Sequence, residues 1–555
     1  MRKMLWNRKQ SIFICLVVGL CLIHFGAAFS LSFEDSEIWG ITSSQRIFQI
    51  GQLWNSAWFK PMFSLLLGSV TQIAPDNWST LTLSRALSWL FSVSLIFSLS
   101  RLLSERYRGP LLILTILSPV VVLNLTKVRS DLYSVAVALL TLQWILLSEL
   151  SQRKRIFIFF LGSTATLLLT PKSIDLYLLL VFALFQPWPT SPTLLRQTLI
   201  AVISPISGAL VPLLFFSPET LFRLVRYASD SYKSYDFFAT QNWLYFYDMI
   251  RTAPILAATV AIGLASATWN YRRLSWQLRP LLWGAVASLC YTLLAPQKLP
   301  FLLSSRLPIW VLGASAGLQF CSFKSLRQQQ IVGVLAVIIA LGVSTVLWIR
   351  SPFQHFEMSI QHEAYIRLDR SLAELNPTSY WDAIGLFPKR NRLFHYPSPG
   401  DSSNEEVFQA IIDSNPSLIL QMSKTKLLGP VFEDWLRTHY AETGTNIWIR
   451  RSTIEPSANC QWPSTLLLEQ AIQAGLRPPL ALVTSNPLED LFVRKWIRIP
   501  FHFANGAEAD SLSEALPWSV AATDCEKALA LTEAAPWTLS DAPNFSALFG
   551  FRGLL

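Results

Sequence analysis

The first 350 residues repeat one pattern, in which apolar runs of roughly helical-span length alternate with short polar turns. The runs lie at about 11–32, 79–100, 110–126, 132–148, 156–171, 174–188, 197–216, 252–269, 280–295, 307–321 and 330–349. A helix needs about 20 apolar residues to cross the hydrocarbon core of a bilayer. The pattern therefore predicts about 11 membrane spans over residues 1–350. Pro61 to Ile73 is apolar over only about 13 residues and reads as an interfacial or re-entrant helix. It lies in what is then the first outer loop, 33–78.

Beyond residue 350 the periodicity changes. Asp382 to Phe387 reads as a strand, and Asn404–Asp413 as a helix with Val407, Ile411 and Ile412 on one side. Ser417–Gln421 reads as a buried strand, Lys426–Tyr440 as a helix and Thr445–Arg450 as a strand. That alternation predicts an α/β domain of three layers over 351–455. Residues 456–555 are rich in Pro, Trp and Ser, with helical spacing at Ser464–Ala474 and a strand-like run at Phe492–Phe503. The fold class expected is a polytopic α-helical membrane domain followed by an extracytoplasmic α/β domain, with a C-terminal extension.

Composition sharpens this reading. Of 555 residues, 52% are hydrophobic and only 14% charged, against roughly 25% charged in an average soluble domain. A disordered chain, a coiled coil and an ordinary cytosolic enzyme are excluded. The net charge of +10 is uneven: residues 1–351 carry 29 Lys/Arg and 12 Asp/Glu, and residues 352–555 carry 16 and 23. The basic excess sits in the hydrophobic half, where membrane topology explains it without nucleic acid.

The charges also orient the chain. Arg2, Lys3, Arg8 and Lys9 precede the first run and favour an uncleaved first helix with a cytoplasmic N-terminus. The inner side then holds 16 Lys/Arg and two acids, the outer side 13 and ten. This distribution fits the positive-inside rule and places residues 350–555 outside.

Several cations contradict the bias, and these carry the candidate chemistry. Lys127 and Arg129, Lys172, and Lys298 with Arg306 fall in outer turns of a few residues. One such residue can simply snorkel to lipid phosphates. Together they suggest a cationic cup for a phosphate or pyrophosphate lipid. The segment Phe33-Glu34-Asp35-Ser36-Glu37-Ile38-Trp39 adds three carboxylates just past the first span. Nearby cations would keep such a carboxylate ionised, as a general base requires; a solvated loop or a helix-start acid is the plainer alternative. The six His lack metal-ligand spacing, no Asp-x-Asp box is present, and neither metal nor cofactor is expected.

These residues resemble the GT-C glycosyltransferases, closest the protein O-mannosyltransferase and lipid A aminoarabinose transferase branches. Asp35-Ser36 followed by Trp39 resembles the acidic pair and aromatic of the first outer loop. Trp58-Phe59-Lys60-Pro61-Met62 resembles the Lys-Pro box, and Arg85 the Arg beginning the second span. Asp131, Thr170-Pro171-Lys172, Gln241–Phe246 and Gln297-Lys298-Leu299-Pro300 resemble later signatures in order. Two positions depart from the pattern: Ser36 stands where the second acid is usual, with Glu37 one residue on, and Met62 replaces a Pro.

The resemblance implies a membrane glycosyltransferase moving a sugar from a polyprenyl-phosphate donor to a lipid, glycan or protein acceptor outside a bacterial inner membrane. It implies Asp35 as base, Glu37 sharing that role or orienting the acceptor, and Lys60, Arg129, Lys172 and Lys298 on the donor phosphate. An O-antigen ligase or polymerase and a degenerate, non-catalytic membrane scaffold are the rival readings. A transporter should show two related halves, and none is seen. Of six cysteines only Cys460 and Cys525 fall outside by this topology, where pairing is expected.

Overall fold

The computed structural model describes residues 2–31, 33–50, 60–170, 172–186, 191–215, 253–295, 300–321, 379–390, 403–421, 423–444, 447–450, 480–482 and 501–503, with scattered residues at 243–251 and 333–369. The expected Cys460–Cys525 pair lies outside these residues.

The fold is mostly helical, with several apolar helices. In chain order they are α1 (Arg2–Ser30), α2 (Asp35–Ile50), α3 (Pro61–Ile73), α4 (Asn77–Leu102), α5 (Arg108–Ile116), α6 (Pro119–Leu125), α7 (Ser130–Leu147), α8 (Gln152–Leu169), α9 (Ile174–Leu184), α10 (Ser191–Phe215), α11 (Pro254–Trp269), α12 (Arg279–Leu294) and α13 (Pro300–Leu318). Among the described residues, α1 (over Gln10–Ser30), α4 and α7 are long and apolar enough to cross a membrane. Helix α3 spans the short apolar run Pro61–Ile73.

Local chemistry sets the boundaries. Asp76 caps α4 by accepting from the Ser79 amide at 2.7 Å. Pro61 opens α3 and Pro254 opens α11, where a missing amide costs nothing. The run 110–126, read as one span, is instead two helices, α5 and α6. Pro119 lacks the amide that would continue α5, and the chain restarts the helix there.

The helices bury polar side chains as well as apolar ones. Many hydroxyls satisfy themselves on the preceding turn, as Thr115 does on the Leu111 carbonyl at 2.7 Å and Thr292 on Ser288 at 2.8 Å. Others tie helices together: Ser92 donates to the Leu125 carbonyl at 2.6 Å, and Trp89 to the Cys21 carbonyl at 3.0 Å. Helices α11 and α13 approach most closely at Gly317, where a Cβ would collide with the Gly263 carbonyl and the Ala267 amide. Ile12, Leu22, Phe157, Leu199 and Ile262 are exposed on helices of this bundle. An apolar surface of this extent suits acyl chains rather than water.

The later chain builds a small sheet, β1 (Tyr380–Asp382), β2 (Leu418–Leu420), β3 (Tyr440–Gly444) and β4 (Ile447–Arg450), in the order β1-β2-β4-β3. Strands β1 and β2 are parallel and the other pairs antiparallel. Helices α14 (Ser403–Ser414) and α15 (Gly429–His439) precede β2 and β3. The expected strand 382–387 is displaced: pairing ends at Asp382, whose Oδ1 then accepts from the amide of Ile384 at 2.8 Å and from that of Gly385. A side chain that bonds its own downstream backbone makes a turn, not a ladder. The helix expected to reach Tyr440 stops at His439, because Tyr440 is already extended and paired with Arg450. A separate parallel pair, β5 (Leu480–Leu482) with β6 (Phe501–Phe503), follows.

This sheet domain rests on the segment that joins α1 to α4. Met358, Gln361, Tyr365 and Asp369 have helical backbone at spacings of three and four, so they share a face. Tyr365 donates to the Leu386 carbonyl at 2.7 Å, and Asp369 accepts from Asn77 at the start of α4 at 3.0 Å. Thr42 of α2 donates to the Gly385 carbonyl at 2.5 Å. Asp369, Gly385 and Lys389 are thus seated on α2 and the start of α4.

Candidate active site

The acidic segment is held residue by residue. Glu34 stands at the start of α2, and its carbonyl accepts from the amides of Glu37 and Ile38, both at 3.1 Å. Glu37 reaches back to the Glu34 amide at 3.0 Å, closing half of a capping box. The other bonds of Glu37 are long-range. Arg85 Nε donates to its Oε1 at 3.1 Å and Arg85 Nη2 to its Oε2 at 2.7 Å, while the Val128 amide donates to Oε1 at 2.9 Å. Four donors thus meet a carboxylate with about four lone-pair directions. Both partners are buried, Glu37 at 0% and Arg85 at 1% exposure.

Arg85 gathers more than Glu37. It donates to the Ala28 carbonyl at 2.9 Å and to the Leu31 carbonyl, and its guanidinium lies 4.0 Å from the Phe33 ring centroid. The end of α1, the loop and α4 are thus fixed to one planar cation. Lys127 and Arg129 approach from the turn before α7. Both bond the Glu34 carboxylate, Arg129 at 3.2 Å, and Arg129 also donates to Ser36 Oγ at 2.8 Å. Ser36, one of the two departures from the expected pattern, is therefore a partner of a predicted cation.

Asp35 is the first residue of α2, and its backbone lies between these anchored neighbours. Its side chain, like all of Lys298, lies outside the described residues.

Lys60 stands immediately before α3, half-buried, with its carbonyl accepting the Ser64 amide at 2.8 Å. Burial lowers its ammonium pKa to about 8; Asp131 opposes that shift, and Lys172 and Arg129 add to it. Lys172, in the turn between α8 and α9, is also lowered, first by burial, with Asp131 again opposing and Arg129 and Arg306 adding. Asp131 is thus the anionic influence common to Lys60 and Lys172. Asp131 lies in the first turn of α7, 5% exposed, and its Oδ1 has no hydrogen-bond partner among the described residues. The hydroxyls of Ser130 and Thr170 are likewise buried and unmatched among those residues. These three atoms have hydrogen-bonding capacity to spare among the described residues.

Arg306 departs from its expected place in an outer turn. It lies inside α13, fully buried, and forks onto Asp175 with both contacts at 2.8 Å. Its Nη2 also donates to the Lys172 carbonyl at 3.0 Å, fixing that turn. A helix interior rather than a turn follows from Pro300 opening α13 six residues earlier. Asp175 and Arg85 were not singled out for this role, although each is a lone charge in an apolar run, the signal that a buried partner is needed. Among the described residues no group of three His, Cys, Asp or Glu could hold a metal ion.

No family model and no curated protein matches the sequence. Solved structures do. Arabinosyltransferase EmbB from Mycobacterium smegmatis is similar over 55% of this chain, at 14% identity and a TM-score of 0.38. The chain spans only 30% of that protein's length. ArnT from Cupriavidus metallidurans in the apo state is similar over 76% of this chain and 94% of its own, at 14% identity and a TM-score of 0.45.

Proposed function

We propose that the protein is an integral membrane glycosyltransferase that moves a sugar from a polyprenyl-phosphate donor to an acceptor on the extracytoplasmic face. The observation that supports this reading is the bonding of Arg129 to Glu34 and Ser36 of the acidic segment, with Lys60 immediately before α3, Lys172 in the turn before α9 and Asp131 in the first turn of α7. A phosphodiester is a strong acceptor for partly buried cations such as Lys60, Arg129 and Lys172.

In the reaction proposed, the acceptor hydroxyl or amine attacks the anomeric carbon and passes its proton to Asp35. The new bond joins that carbon to the acceptor atom. The bond that breaks joins it to a phosphate oxygen, which leaves on polyprenyl phosphate with the electron pair. Lys60, Arg129, Lys172 and Lys298 stabilise the charge that develops there. Glu37, with its oxygens already taken by Arg85, Val128 and Glu34, holds the loop rather than the proton. The wider setting we infer is about 11 spans in a bacterial inner membrane, with the N-terminus cytoplasmic and residues 351–555 outside.

The test is a lipid-extract comparison by mass spectrometry between wild type and a strain lacking the gene. Accumulation of one polyprenyl-phosphate sugar, reversed by the wild-type gene, is the expected result. An unchanged pool overturns the reading and favours a non-catalytic scaffold.

A further inference from the structure

The acidic segment is anchored from both sides of the chain, and the first outer anchor is the side chain of Gln361. Gln361 Oε1 accepts from the Phe33 amide at 2.6 Å, and Gln361 Nε2 donates to the Phe33 carbonyl at 2.8 Å. One primary amide thus satisfies both backbone groups of a residue 328 positions away, as a neighbouring strand would. Gln361 is 0% and Phe33 1% exposed. No water competes for those bonds, and losing them leaves two backbone groups unsatisfied.

Phe33 lies two residues before Asp35, and Glu37 lies two residues after it. Glu37 is fixed from the membrane bundle by Arg85 and the Val128 amide. Phe33 is fixed from the outer domain by Gln361, with its ring between Arg85 and Trp78. A second outer contact, Thr42 to the Gly385 carbonyl, holds the same helix seven residues beyond Asp35. Gly385 is itself fixed by Asp382. The outer domain therefore does more than cover the loop. It defines the position of the α2 start in concert with the bundle.

We infer that Gln361 is a positioning residue: it sets the place of Asp35 by clamping the Phe33 backbone, and so makes transfer depend on how the outer domain is seated. This rests on the transferase reading above. Positioning acts mainly on the proton transfer, because of the donor-phosphate cations only Arg129 bonds the clamped segment, whereas Lys60 and Lys172 approach from other elements, beside α3 and between α8 and α9.

The experiment uses the full chain in lipid nanodiscs, as wild type, Gln361→Leu and Gln361→Glu. The Glu variant keeps the shape and the bond from the Phe33 amide, and sets a second oxygen against the Phe33 carbonyl. Three quantities are read: hydrogen exchange over residues 30–45, affinity for decaprenyl phosphate, and kcat and KM with the polyprenyl-phosphate sugar identified in the deletion strain. In both variants, exchange over 33–38 should rise by about tenfold or more while that of α4 and α7 is unchanged. Decaprenyl phosphate affinity and donor KM should stay within about twofold, and kcat should fall by about tenfold or more.

Unchanged exchange overturns the clamp. Faster exchange with wild-type kcat overturns its catalytic role. A fall in kcat matched by lost decaprenyl phosphate binding, or by faster exchange in α4 and α7, marks general destabilisation and also overturns it. If the wild-type chain turns over no lipid-linked sugar, the transferase reading fails and takes the catalytic role with it, while the exchange data decide the clamp alone.

Discussion

Arg85 and Glu37 face each other as a fork, with Nε–Oε1 at 3.1 Å and Nη2–Oε2 at 2.7 Å, joining α4 to the first turn of α2. Removing one partner of a buried pair leaves the other charge unmatched, which costs about 3–5 kcal/mol. Arg85→Ala and Glu37→Gln should therefore lower the melting temperature of the solubilised protein sharply. Arg85→Lys should not restore it, because an ammonium cannot reproduce the fork while also reaching Ala28 and Leu31. A melting temperature within a degree or so of wild type for Glu37→Gln would remove the pair from the fold's essential contacts.

Asp35→Asn should behave in the opposite way. Expression and melting temperature should match wild type, while transfer falls by about 10²–10⁴-fold, the usual cost of losing a general base. Complementation of the deletion strain by the Asn variant at wild-type level would take Asp35 out of the chemistry.

Lys60 gives a pH-dependent prediction. Its pKa is about 8 when folded, against an ordinary 10.5. The unfolded chain holds this proton more tightly, so the charge opposes folding below about pH 8, and stability recovers as pH rises from 8 towards 10.5. Lys60→Met should raise the melting temperature of the unliganded protein at pH 7, by an amount worth on the order of 1–3 kcal/mol. That gain should shrink above pH 8. The same variant should bind decaprenyl phosphate more weakly, by roughly 1.5–3 kcal/mol for one charge-assisted bond. Wild-type binding should itself weaken as pH passes 8. Isothermal titration between pH 6.5 and 9.5 reads both effects, and a flat wild-type profile would argue that Lys60 does not meet the phosphate.

Gly317→Val tests the packing of the late helices. Added carbon atoms meet the Gly263 carbonyl and the Ala267 amide, both backbone, so the neighbours cannot rotate away. A loss of about 1–3 kcal/mol or more is expected, seen as lower yield and melting temperature. Ser is small but still carries a Cβ, and Gly317→Ser should show an intermediate loss.

Several of the bundle's helices were legible in the sequence, because an apolar run has one satisfactory answer in lipid, a helix that bonds its own backbone, whereas the polar α2 was not. Pro61 followed by twelve mostly apolar residues announced α3, whereas the Asp76 cap of α4 emerged only in the structure. The grouping of Lys60, Arg129 and Lys172 could be suspected, because short turns hold charges near one plane. What the sequence could not decide was which charges meet. Arg306 stands 131 residues from Asp175, Arg85 stands 48 from Glu37, and Gln361 stands 328 from Phe33. The partners share no local pattern, and each pair exists only because helix packing brings together two groups that neither lipid nor core can leave alone. Strand ends failed for a related reason. Asp382 to Phe387 alternates well enough for a ladder, yet the Asp382 carboxylate finds its nearest donors in its own chain and turns it. Apolar content therefore settles the elements, whereas the satisfaction of buried charge, which depends on every helix at once, settles the site.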